Sequence, residues 1–275
     1  MKSIFNYLKK LLPVLFSIIT IAVNAQKLPN VQQASIYAPA NIKIDGKITE
    51  WGNQFQAYNH ATEIFYTIAN DDDNIYLVVK ATKPDIINKI LLSGVTFTVS
   101  NLSKEGASVT FPTYYKNKRP SINLKNKPPV TKDKAMDKMQ ADSFMRVVNK
   151  ELTDKSKLIE IEGVGSIADS VISIYNEEGF KAMALFDEQI NYTSELAIPI
   201  KHLGISINKP VMFRYNIKLN GAAANGAHIR LSNNGNFLIV TRGSDAPYAI
   251  LASPEFMSYA YPTDFSGEYT LAKKQ

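Results

Sequence analysis

The chain contains no cysteine. That excludes disulfide staples, thiolate metal sites, a thiol nucleophile and a lipid anchor carried on a cysteine after a leader. It has one tryptophan, Trp51, and three scattered histidines, His60, His202 and His228. No Gly-x-Ser-x-Gly, His-Glu-x-x-His or glycine-rich phosphate loop occurs, so the expectation is a protein without catalytic residues. The histidine spacing matches no metal-ligand pattern.

Charge of one sign is equally scarce. The formal net charge is +6, from 31 basic and 25 acidic residues. Lys2, Lys9 and Lys10 lie in the first 25 residues, and without them 28 basic residues face the same 25 acids. A surplus that small does not argue for nucleic acid.

Long hydrophobic runs are missing as well, with one exception from Leu11 to Val23, interrupted by Pro13, Ser17 and Thr20. It follows a basic start and ends at Val23-Asn24-Ala25, the pattern of a cleavable secretory signal over residues 1–25. It is shorter than the roughly 20 apolar residues of a membrane helix. The expectation is a secreted or periplasmic protein beginning near Gln26, with no transmembrane segment after cleavage.

What is present is alternation. Ile42 and Ile44 alternate with polar neighbours before the Asp45-Gly46 turn and Trp51. Ile64, Tyr66 and Ile68, then Ile75, Leu77 and Val79, alternate on either side of Asn70-Asp71-Asp72-Asp73-Asn74, which spells a hairpin. Val95, Phe97 and Val99 alternate, as do Leu158 to Glu162 and, most regularly, Val211 to Leu219. Strands are also expected at 179–186, 192–200, 237–241, 250–252 and 268–271, with a long loop over 221–235. That makes about ten or eleven strands without a βαβ rhythm, so the fold class is all-β, an antiparallel β-sandwich of jelly-roll type with short helical insertions.

Residues 26–39 read as an extended lead-in and 40–275 as a single domain. A basic, partly helical insertion falls at about 112–157. From Lys116 to Lys138, Lys116, Lys118, Arg119, Lys125, Lys127, Lys132, Lys134 and Lys138 face only Asp133 and Asp137. This segment reads as a polyanion patch or as a solvated loop. Asp85 to Leu91 predicts a short helix capped by Asp85 and ended by Gly94. Met136, Met139, Phe144, Val147 and Val148 predict an amphipathic helix docking on the sandwich, its methionines packing rather than ligating haem.

Three stretches together resemble a known family. They are Asp45-Gly46-Lys47-x-x-Glu50-Trp51, the hairpin Ala69 to Leu77, and Glu195-Leu196-Ala197-Ile198-Pro199-Ile200-Lys201-His202-Leu203-Gly204. They are similar to the family 9 carbohydrate-binding modules, part of the wider DOMON-like group of β-sandwiches that bind sugars or haem. The resemblance covers the chain after the signal, apart from the central insertion, and implies a non-catalytic carbohydrate binder. Family members that bind sugar ends resemble a clamp of two tryptophans, whereas this chain has only Trp51, within the turn motif.

Tyrosine and phenylalanine can replace tryptophan as stacking platforms. The candidate ligand residues are Phe111, Tyr114, Tyr115, Tyr259 and Tyr261. Calcium is a possible cofactor, with Asp45, Asp71 and Asp73 as candidate ligands, although the same acids suit a solvated hairpin tip. Glu160 and Glu162 share one strand face, a spacing of about 7 Å open to glycoside hydrolysis but usual for a polar sheet face. The alternatives to sugar binding are an interaction domain of a cell-envelope assembly, with a protein partner, and a haem-binding DOMON-like module.

Overall fold

The computed structural model describes residues 27–100, 106–114, 118–126, 128, 134–206, 208, 212–222 and 227–274. The expected signal and Tyr115 lie outside the described residues. The strands are β1 (Ala57–Asn59), β2 (Ile64–Asn70), β3 (Asn74–Ala81), β4 (Val95–Ser100), β5 (Ala107–Thr113), β6 (Leu158–Glu162) and β7 (Val171–Ser173). They continue with β8 (Lys181–Phe186), β9 (Tyr192–Pro199), β10 (Phe213–Leu219), β11 (Ala227–Leu231), β12 (Phe237–Arg242), β13 (Tyr248–Leu251) and β14 (Thr263–Tyr269). Among the described residues, three helices of more than one turn are α1 (Pro84–Ser93), α2 (Lys134–Lys155) and α3 (Pro254–Ala260).

One sheet has five strands in the order β1, β2, β3, β9, β8, and a second has six in the order β14, β10, β4, β5, β6, β7. A small third sheet, β11, β12, β13, forms an excursion between β10 and β14. Every strand pairing within these sheets is antiparallel. The all-β, sandwich-like fold expected from the alternation is therefore present.

The core lies between the two larger sheets, because alternate residues point to alternate faces. Ile64, Tyr66, Ile68, Ile75, Leu77 and Val79 from one sheet join Val95, Phe97, Val99, Phe213, Tyr215 and Ile217 from the other in one buried cluster. The Tyr66 and Tyr215 hydroxyls share a hydrogen bond across the layer at 3.1 Å, and Gln32 N–H donates to Tyr66 at 2.8 Å. Two polar tips thus sit inside an apolar layer without losing partners.

Pattern and structure differ at several places. Residues 42–44 form no strand and instead belong to an extended strap on the outer face of the five-stranded sheet. β5 is an additional strand in which Ala107, Val109 and Phe111 join the main core, while Thr110 and Pro112 on its other face are buried as well. Its register with β6 shifts between Thr110 and Thr113, around a proline that cannot donate to the ladder. β1 and β7, of three residues each, are too short to show a period, and β11 occupies part of the expected 221–235 loop.

In α1 the cap position falls to Lys83, with Pro84 at the first helical position and Asp85 inside the first turn. Gly94 ends the helix at φ 76°, where a Cβ would lie 2.3 Å from the Pro112 carbonyl oxygen, so glycine is required. The docked face of α2 is Phe144, Met145, Val148 and Leu152. Met136, Met139 and Val147, expected to pack, are exposed, since the helix makes its core contacts from residue 144 onward. The C-terminal strand β14 pairs with β10, and its Tyr269 hydroxyl donates to the Ile36 carbonyl at 3.0 Å, bringing the two ends of the described chain together.

Candidate functional site

Two of the three resembling stretches meet on one buried carboxylate, and the third, the hairpin, reaches Trp51 through Tyr76. Glu195 sits on β9, on the face away from the core, and is fully buried beneath the 42–54 strap. Its Oε2 accepts the Asp45 and Gly46 backbone N–H groups at 2.9 and 2.8 Å, and its Oε1 accepts Trp51 Nε1–H at 2.8 Å. Gly46 has φ 83° and lies against Leu185, so the turn presents both amides where a side chain would clash. Burial pushes the Glu195 carboxyl up to about 7, against the opposing pull of its Trp51, Gly46 and Asp45 donors.

Trp51 is half-buried and meets Tyr76 edge-on, at a centroid distance of 5.9 Å. With Ile36, Ile42, Ile44, Ala38, Ala69 and Ala197 it builds a second small apolar cluster on the outside of the sheet. The tryptophan motif is thus the fastening of a strap.

The acidic turn has its own internal work. Asp71 Oδ1 accepts Asp73 N–H at 2.9 Å and Asn74 N–H at 2.7 Å, and Oδ2 accepts the Tyr76 hydroxyl at 2.5 Å. Asp45 Oδ1 accepts Lys47 N–H at 2.9 Å in the separate strap turn. These bonds are the ones that let Asp shape tight turns. Among the described residues no group of three or more His, Asp or Glu side chains is placed to hold a metal ion, so Asp45, Asp71 and Asp73 are not assembled as a calcium site. Asp73 instead lines an open cleft of about 880 Å³ beside Lys43, Lys181 and Lys201.

The aromatic platform expected from Phe111, Tyr114, Tyr259 and Tyr261 does not assemble as an exposed surface. Phe111 is buried in the main core, because its strand turns odd-numbered residues inward. The Tyr114 hydroxyl is buried too, and burial drives it well above the usual tyrosine range. Tyr259 packs near Phe256, with ring centroids 6.5 Å apart, and its hydroxyl accepts Asn88 Nδ2–H at 3.2 Å. Tyr261, just after α3, is the exposed one of the four.

Glu160 and Glu162 lie on the outward face of β6, opposite Thr110 and Ser108. Burial first and Glu162 second push Glu160 upward. His202 stacks on Phe180, and its ring nitrogens lie 3.1 Å from the Ser166 hydroxyl and the Glu178 carbonyl, a packing role in a loop. His228 is exposed on β11, and His60 sits edge-on to Tyr58.

Another concavity includes Gly46 to Thr49 of the turn motif, but its other walls were not signalled by the sequence. It is a cleft of about 640 Å³ between the strap, α2 and the turn joining β8 to β9. Thr49, Asn53, Lys80, Asn149, Asp187 and Gln189 line it with polar groups, and Ile48 and Met145 add apolar surface. Lys80 Nζ donates to Asp187 Oδ2 at 2.9 Å, and Asn191 Nδ2 donates to the same oxygen at 2.9 Å. Burial works to raise Asp187, but the Lys80 and Asn191 hydrogen bonds outweigh it and hold the carboxyl below its usual value. Asn149 clasps Phe186 from both sides, donating to its carbonyl at 3.0 Å and accepting its N–H at 2.7 Å. The wall is therefore preorganised by bonds between elements far apart in the chain. Comparison with known proteins found no matching family model and no matching curated protein.

Proposed function

We propose that this protein is a non-catalytic carbohydrate-binding β-sandwich whose sugar site is the cleft between the strap and α2. The observation that carries the reading is the Lys80–Asp187 pair in the wall of a cleft of about 640 Å³, a size suited to one or two sugar rings. An ammonium donates three times, and Lys80 makes one hydrogen bond among the described residues, so two donors are left for ligand hydroxyls. Thr49, Asn53 and Gln189 add hydrogen-bonding groups, while Met145 and Ile48 provide apolar contact for the C–H face of a sugar ring. This arrangement supports the resemblance to sugar-binding modules through a different set of residues from the tyrosines.

Isothermal titration of the wild type against a panel of neutral mono- and oligosaccharides tests the reading, alongside Lys80→Met and Gln189→Ala. Binding by the wild type and its loss in both variants, with melting temperatures held within a few degrees, is the expected result. Absence of binding to every sugar, or equal binding by both variants, would overturn it.

A second reading has one observation behind it. Phe237 and Leu251 are directly paired neighbours on β12 and β13, 41% and 62% exposed, on one face of the small third sheet. Exposed apolar pairs of this kind favour a protein partner, which fits an interaction domain of a cell-envelope assembly. Retained binding to envelope extract by wild type and its loss in Phe237→Ser, Leu251→Ser would favour that reading over sugar binding.

A further inference from the structure

Residues two apart on a strand share a face, and residues in register on neighbouring strands lie side by side on it. In the five-stranded sheet this sets out three rows on the face turned away from the core. Tyr76 of β3, Ala197 of β9 and Lys181 of β8 form the first row. Val78, Glu195 and Met183 form the second, and Lys80, Thr193 and Leu185 form the third. Glu195 is the acceptor that fastens the strap, so the strap crosses the sheet on the middle row.

The rows on either side of the strap each open into a cleft. Lys80, Thr193 and Leu185 belong to the cleft of about 640 Å³ proposed for sugar, which strap residues 46–49 and 53 also line. Tyr76, Ala197 and Lys181 belong to the cleft of about 880 Å³, which strap residues 42–44 also line. The two clefts are therefore neighbours on one sheet face, with the strap as the rib between them. Tyr76 and Lys80 are four residues apart on β3, an interval of about 14 Å along the strand.

The larger cleft has an apolar floor and a polar rim. Ile42, Ile44, Tyr76, Ala197 and Ile200 supply the floor. The rim carries Lys43, Lys181 and Lys201, all exposed, and none of them forms an ion pair among the described residues. It also carries the carboxylates of Asp72, Asp73, Glu177 and Glu178, which are likewise without an ion pair among the described residues. Three cations and four anions nearly cancel, so the rim favours no strongly charged ligand. Ammonium groups offer donors and carboxylates offer acceptors, and a hydroxyl can answer both. A ring with an apolar C–H face and hydroxyl edges matches that floor and that rim.

We propose that the larger cleft is a second subsite, and that the ligand is a neutral oligosaccharide chain long enough to pass the strap and occupy both clefts. The proposal rests on reading the smaller cleft as a sugar site, and it narrows the ligand from a sugar to an extended glycan. One chain held at two places makes the second contact intramolecular, so affinity rises with chain length. The fastening of the strap by Glu195 gains a role in binding, because it fixes the rib that separates the two subsites.

Isothermal titration of the full chain with di-, tetra- and hexasaccharides from cellulose, xylan and amylose tests the proposal, at low and high salt. In the series that binds, the hexasaccharide is expected to bind about tenfold tighter than the disaccharide or better, with the same ratio at both salt concentrations. Two variants probe the larger cleft from exposed positions, the pair Lys181→Ala, Lys201→Ala and the single change Ser206→Trp, which fills the cleft with an indole. Each is expected to bring the hexasaccharide down toward the affinity of the disaccharide, with melting temperatures confirming that both are folded. Lys80→Met is expected to weaken the short and the long sugars alike.

Equal affinity of the wild type for disaccharide and hexasaccharide would overturn the second subsite and leave the smaller cleft standing as a sugar site. A length dependence undiminished in Ser206→Trp would overturn it as well, placing the additional rings elsewhere on the surface. Absence of binding to every one of these sugars would overturn both readings together.

Discussion

The Glu195 carboxylate and the Tyr114 hydroxyl are both buried, yet the first accepts three N–H donors and the second meets no partner. Glu195 is served by a turn: two successive amides and an indole arrive from a single stretch of seven residues, Asp45 to Trp51. Tyr114, which follows β5, has no such turn folded around it, and its hydroxyl is buried without a hydrogen-bond partner. A local segment can shape itself around a charge and satisfy it. Satisfied burial contributes stability, whereas a buried polar group left without a partner costs about 1–3 kcal/mol.

Four experiments press on that contrast, beginning with the largest effect. Glu195→Ala leaves the Asp45 and Gly46 amides and the Trp51 indole without their acceptor. At about 1–3 kcal/mol for each orphaned donor, the loss should reach about 3 kcal/mol or more in urea unfolding. Limited proteolysis should cut first within 42–54. A loss under about 1 kcal/mol would mean that water replaces the carboxylate freely, and the contrast between the two sites would fall.

Trp51→Ala removes the Tyr76 contact and the indole donor from a half-buried position. It should cost about 2–3 kcal/mol, below the 3–5 of a fully buried aromatic. Trp51→Phe keeps the ring contact and gives up one hydrogen bond, so it should recover most of the difference.

Next comes pH. With the Glu195 carboxyl raised to about 7 from 4.5, the folded state holds its proton more tightly than the unfolded chain does. The stability it contributes is fully present below about pH 4.5 and is lost as pH rises through 7. Wild-type urea midpoints should therefore fall between pH 5 and 8 relative to those of Glu195→Gln, whose amide does not titrate. Parallel profiles for the two proteins would show that the three donors outweigh burial.

The smallest effect belongs to the other site. Tyr114→Phe deletes a buried hydroxyl that has no partner, so the expected change lies within about 1 kcal/mol, on the stabilising side. A clear destabilisation would show that the hydroxyl is already served inside the protein. The pairing of Glu195→Ala with Tyr114→Phe thus measures one kind of burial against the other under the same conditions.

Alternation along the chain was enough to determine the fold class, because side chains on a strand face opposite sides and one side must be apolar when it meets a core. The β2 and β3 hairpin, β10 and β9 can be read straight from Ile64 to Val79, Phe213 to Leu219 and Tyr192 to Pro199. Helix α1 is visible in its isoleucines and in the glycine that ends it. The Asp45 to Trp51 and Glu195 to Gly204 segments stand out in the sequence as separate stretches. That the first wraps the carboxylate of the second was decided only by folding, since no periodic pattern links residues 150 positions apart.

The same reason hides the sites. Phe111 and Tyr114 stand three residues apart on one short stretch, and neither faces solvent as a platform, because β5 directs the first into the core and the neighbouring elements close over the hydroxyl of the second. Lys80 and Asp187 meet because β3 and β8 flank β9. Sequence alone determines which residues are apolar on which face. Which polar residues become neighbours is decided by the tertiary structure, through the long-range strand order that local free energies do not encode.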